Sequence, residues 1–131
     1  MAANEEAGTV AVRAIRGATQ LEKDEREHLL ERSAELVRAV LEANDLESED
    51  LISILFTVTP DLHSEFPAVA GRQIGLTDVP LMCMQEIDVP HALPRVVRMM
   101  VHAESPRSRE KIQHVYLHGA TSLRPDLTGA Q

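Results

Sequence analysis

At 131 residues, with 44% hydrophobic and 26% charged positions, the chain has the length and composition of one globular domain with its own core. Its formal net charge of −8 argues against nucleic acid or an anionic membrane as partner, because both need a basic surface. A single cysteine excludes an internal disulfide and lacks the companions of a zinc site, which points to a reduced, cytoplasmic protein.

Residues 1–8, small and acidic, read as a flexible N-terminal extension without the basic region of a signal peptide. TVAVRAIRG then alternates, placing Val10, Val12, Ala14 and Arg16 on one face of a strand. A long helix is predicted from about Leu21 to Ala43, announced by Thr19 with Glu22 at capping-box spacing and stopped at Asn44. Leu30, Ala34, Val37 and Leu41 form its buried stripe. LISILFTV, residues 51–58, is apolar throughout most of its length, as expected of a central strand covered on both faces.

After the turn TPDLHSEFP, a short helix is expected to begin at Pro67 and to end at Gly75. Residues 79–85 read as a third strand. A third helix is predicted over 92–102, with Pro94 in its first turn and Leu93, Val97 and Val101 inward. IQHVYLH alternates again, Val115 and Leu117 opposing His114, Tyr116 and His118. Residues 119–131 read as a mobile C-terminal tail. The fold class that follows is α+β: a mixed β-sheet packed against one long and two shorter helices, with an edge or part of a face left for an oligomer to cover.

Neither a Gly-rich phosphate loop, a paired-histidine metal spacing nor a Gly-x-Ser-x-Gly elbow occurs. Cys83 lacks a cysteine-hydrolase signature and on its own reads as a buried structural cysteine. Glu86, three residues on, falls on the opposite face of a continuing strand; by spacing alone it is a solvated acid. The cations are eleven Arg against two Lys, which favours the planar fork that grips carboxylates, although genomic base composition produces the same bias. Arg16 ends an apolar strand face and Arg98 interrupts the apolar third helix predicted over 92–102.

Taken together, IRGATQLEKD, TPDLHSEFPA, CMQEIDV, RVVRMM, HVYL and LRPDL resemble, in order and spacing, the monofunctional chorismate mutases of the trimeric pseudo-α/β-barrel class. The likeness runs from about residue 12 to 127. It implies an enzyme that converts chorismate to prephenate, in phenylalanine and tyrosine biosynthesis, within clefts between subunits of a homotrimer and without cofactor or metal. It implies catalytic roles for Arg98, Glu86, Cys83 and Arg16, and substrate-binding roles for Phe66, Ala68, Arg72, Leu81, Met82, Tyr116, Leu123 and Arg124. Val69 departs from a lysine that family members can carry near the start of the second helix.

The implied reaction breaks a carbon–oxygen bond as a carbon–carbon bond forms within one molecule, so no nucleophile, general acid or general base is required. Glu86 and Cys83 then serve the ring hydroxyl, and Arg98 faces the ether oxygen where negative charge grows. The alternative is a non-catalytic trimeric binding protein for a small carboxylate metabolite. Its arginines would suffice, but it has no need of a hydroxyl-binding acid opposite an ether-binding cation.

Overall fold

Where helical spacing predicted a third helix, the chain forms the central strand of a five-stranded mixed sheet. A computed structural model describes residues 9–124. In chain order it contains β1 (Ala11–Gln20), α1 (Arg26–Ala43), β2 (Leu51–Val58), α2 (Pro67–Gln73), β3 (Leu81–Gln85), β4 (Val96–Ser105) and β5 (Val115–Leu117). Short 3₁₀ segments lie at Ser48–Asp50, Arg109–Lys111 and His118–Leu123. The strand order is β3-β2-β4-β1-β5. β4 runs antiparallel to both neighbours, whereas β3 and β5 join the sheet in parallel.

The α+β class is as expected, and the misread segment has a physical explanation. Leu93, Val97 and Val101 recur at helical spacing, but Val97, Met99, Val101 and Ala103 also alternate, and all four are buried. Arg98, Met100 and His102 occupy the other face and are half-buried. β-Branched valines suit a pleated strand, and a place between β1 and β2 gives β4 a hydrogen-bonded ladder on each side. Just before β4, Arg95 adopts a positive φ of 54°. Its N–H donates to the Asp61 carboxylate at 3.0 Å and its Nε to the Leu21 carbonyl at 2.9 Å.

Two further expectations change. β2 is not central, and its sides differ: Ile54 and Phe56 are fully buried, while Leu55 and Thr57 face outward. α1 begins at Arg26 with Glu25 as its N-cap, because Thr19 stays within β1 as a buried residue. The first part of the C-terminal tail forms a 3₁₀ segment, His118–Leu123, with Ala120 fully buried. Its remainder, residues 125–131, and the 1–8 extension lie outside the described residues.

α1 and α2 pack on one side of the sheet. From α1, Leu29, Leu30, Leu36, Val37 and Val40 enter the core; Ala34 and Leu41 of the expected stripe lie at its margin. Gly17 of β1 permits the close approach, since a Cβ there would stand 2.9 Å from Val40. At the far end of α1, buried Asn44 donates to the Val40 and Gln113 carbonyls and accepts from the Gln113 N–H. That side chain fastens the helix end to the approach to β5. α2 starts at Pro67 and stops before Gly75, whose φ of +105° suits a glycine.

The opposite side of the sheet stays open. Val10 and Val12 are more than half exposed there, and Met84 is exposed at the β3 edge. A second, small cluster covers one end of this side: Ala18, Val96 and Ala120, joined by Leu93, Tyr116 and Leu123. Among the described residues no helix is long and apolar enough to cross a membrane.

Candidate active site

The open side of the sheet holds a concave pocket of about 1000 Å³. Its floor follows from strand register. Thr57, Arg98, Ala18 and Tyr116 are successive cross-strand neighbours on β2, β4, β1 and β5. Ala18 is the smallest of the four, so a hollow forms between the guanidinium and the phenol. Arg98 and Tyr116 lie two strand spacings apart, about 10 Å. The next row brings Leu55, Met100 and Arg16 side by side. All of these residues line the pocket.

Glu86 closes the β3 side. Its backbone N–H donates to the Val58 carbonyl at 2.9 Å, which extends the β2–β3 pairing by one residue and turns the carboxylate over the open face. There Oε2 accepts from Thr57 Oγ1 at 2.6 Å and from Arg98 Nε at 2.9 Å. The ion pair is largely shielded, with Glu86 17% and Arg98 32% exposed. Binding through Nε fixes the plane of the guanidinium, whose two terminal nitrogens carry four more N–H groups. A residue used only as a point charge would not need this arrangement.

Arg16 is steadied from outside. His114 Nδ1 accepts its backbone N–H at 3.0 Å, so the imidazole must be unprotonated at that nitrogen. Burial, with Arg16 second, pushes the His114 pKa below its ordinary 6.5, which keeps the acceptor available. Leu123, at the end of the docked 3₁₀ segment, completes the pocket wall, and Arg124 follows directly as a half-buried residue.

The other expected residues gather elsewhere. Cys83 and Leu81 point from β3 toward the main core and α2, and a Cβ on Gly71 would stand 3.1 Å from Leu81. Burial raises the Cys83 pKa, opposed by the Ala68 backbone N–H and by Arg72. That combination places Cys83, Ala68 and Arg72 together. Phe66, the N-cap of α2, is 65% exposed. Met82 is exposed on the same side of β3 as Met84 but is not part of the pocket. Val69 packs against the core and offers no cation. β3 does not bend between Cys83 and Glu86, so within one chain the thiol and the carboxylate serve opposite sides of the strand.

Sequence reasoning missed Thr57, the Gly17 and Ala18 floor, and the pocket residues His91, Leu93 and His102. Thr57 had a usable signal: with Ser53 it is one of two polar breaks in LISILFTVTP outside the terminal Thr59, and it falls on the strand face opposite Phe56. His91 and Leu93 reach the pocket only through the path of the loop before β4, which no local pattern announces.

With this geometry in view, comparison with known proteins is informative. A family model described as chorismate mutase type I matches residues 12–127. The chain is 46% identical over 121 residues to chorismate mutase AroH of Thermus thermophilus, covering 92% of this chain and 99% of that one. It is 41% identical over 118 residues to chorismate mutase AroH of Bacillus subtilis, covering 89% and 93% respectively. A solved chorismate mutase from Clostridium thermocellum superposes with a TM-score of 0.84 at 44% identity, covering 85% of this chain and 99% of the other. The open-faced mixed sheet, with a paired acid and arginine on it, is therefore that of a chain belonging to the type I chorismate mutase family.

Proposed function

We propose that the chain is an isomerase that rearranges chorismate to prephenate for aromatic amino acid biosynthesis, acting in the cytoplasm as a homotrimer without cofactor or metal. The observation that carries this reading is the Glu86–Arg98 couple, held over the pocket by Thr57 and flanked by Arg16 and Tyr116. In a family member, such a couple has a defined task. Glu86 accepts from the ring hydroxyl and orients the ring. Arg98, its plane set by that same carboxylate, meets the ether oxygen as the carbon–oxygen bond lengthens and charge collects there. Arg16 and Tyr116 take the side-chain carboxylate. Holding the enolpyruvyl arm over the ring removes unproductive rotamers before the bond-making step.

The second group, Phe66, Ala68, Arg72, Leu81 and Cys83, lies on the α2 side of β3 and is the complementary half of a cleft. One chain does not bring the halves together, and the exposed edge strand β3 and apolar open face are what neighbouring copies would cover. Three copies would thus form three clefts, each with an open-face half from one copy and an α2 half from the next. Met82, exposed at the sheet edge, falls on the seam, and Leu123 with Arg124 closes the cleft from the C-terminal side.

The test is an assay of the purified chain that follows loss of chorismate absorbance, combined with sedimentation. Turnover without added metal or cofactor by a trimer is the expected result. No turnover would end the enzymatic reading, and a fully active monomer would end the shared cleft.

A further inference from the structure

The loop that leads into α2 is tied to the connection between β1 and α1 by charged side chains outside the pocket. Asp24, in the connection between β1 and α1, accepts the backbone N–H of His63 at 3.2 Å and that of Ser64 at 3.1 Å. His63 Nδ1 lies 3.3 Å from the same carboxylate. Two residues on, Arg26 Nε donates to Glu65 Oε1 at 2.7 Å, and Glu65 Oε2 accepts the Phe66 N–H at 3.0 Å. The loop's other end is fastened by Asp61, which accepts from Thr59 Oγ1 and from the Arg95 N–H. Phe66 itself is 65% exposed, so packing within its own chain does little to hold it.

We infer that Asp24, reinforced by the Arg26–Glu65 pair, is a positioning residue for substrate binding, holding loop 61–66 so that Phe66 and α2 present their half of the cleft in one orientation. The inference rests on the reading of Phe66, Ala68 and Arg72 as a substrate-binding half. The physical reason is entropy. A solvent-facing loop with one buried apolar anchor, Leu62, samples many arrangements unless its backbone donors have fixed partners, and ordering it on binding would weaken affinity. Asp24 and Arg26 flank Glu25, the N-cap of α1, so the loop takes its position from the longest helix. Hydrogen bonds from Ser64 and His63 outweigh the opposing effect of burial and keep the Asp24 carboxyl below its ordinary 3.8, so the tether is charged at neutral pH.

Steady-state kinetics of trimeric Asp24→Ala, Asp24→Asn and Phe66→Ala, with thermal midpoints measured alongside, test this. Asp24→Ala should raise KM about tenfold and leave kcat within about twofold, the pattern of lost uniform binding. Asp24→Asn keeps one oxygen for the backbone donors and should raise KM by about threefold. If Asp24→Ala does not assemble, Asp24→Asn decides alone: an intermediate KM supports the clamp and a wild-type KM overturns it. Wild-type KM in both Asp24 variants, with a raised KM in Phe66→Ala, would overturn the clamp and leave the α2 half intact. Wild-type KM in all three would remove Phe66 from the binding half and the clamp with it. A fall in kcat at unchanged KM in the Asp24 variants would also overturn it.

Discussion

Replacing Arg98 separates catalysis from stability because the structure assigns different sizes to the two effects. The side chain stands on the central strand, between Thr57 and Ala18 in register, and its Nε meets Glu86 at 2.9 Å. Arg98→Ala leaves Glu86 with the Thr57 hydroxyl as a partner and with some access to water. At 17% and 32% exposure the lost pair is partly screened, and a stability cost of about 1 kcal/mol is expected. Val97 and Met99 keep the strand anchored on the core side. If the guanidinium meets charge that exists mainly in the transition state, kcat should fall by roughly 10²–10³-fold, ~3–4 kcal/mol, with a comparatively small change in KM. Arg98→Lys keeps the charge but loses the Nε donor and the planar fork, so strong impairment there would show that placement matters beyond charge. The assay is chorismate consumption under saturating substrate, with thermal denaturation of the same samples. A folded Arg98→Ala trimer turning over at nearly the wild-type rate would refute the mechanism.

Subunit mixing tests the divided cleft. When Arg98→Ala and Arg72→Ala chains are denatured and refolded together, about a quarter of the clefts should receive both intact halves by random assembly; no recovery above the separate variants would show that the two arginines share one chain's site. The pH response divides in the same way. Since no proton moves in the chemical step, kcat should stay flat around neutrality. The His114 pKa is depressed on folding, so the unfolded chain binds more protons than the folded one just below 6.5. Stability is therefore full above that value and is lost as pH falls through it toward the folded value. His114→Asn, which keeps an acceptor for the Arg16 N–H, should flatten this slope in thermal melts. Truncation before Leu123 removes part of the pocket wall and should raise KM more than it lowers kcat.

Much of this protein was determined by local pattern. The alternation of β1 and β5, the stop of α1 at Asn44, Pro67 at the start of α2 and Gly75 past its end all follow from short-range sterics and hydrogen bonding. The family likeness likewise rests on contiguous blocks, and residues 12–127 carry it. Tertiary structure alone decided the state of residues 96–105, because Leu93, Val97 and Val101 satisfy a helical period while Val97, Met99 and Val101 satisfy a strand's, and only pairing with β1 and β2 separates the two. That outcome also decided the site. On a strand, Arg98 acquires Thr57 and Ala18 as lateral neighbours and Glu86 as a hydrogen-bond partner, whereas on a helix it would have had neighbours three and four residues away. The division of the expected site residues between the two sides of β3 was half legible: the odd separation of Cys83 and Glu86 puts them on opposite faces of a continuing strand, but only the pairing with β2 decided that the strand continues, sending one toward α2 and the other over the open face.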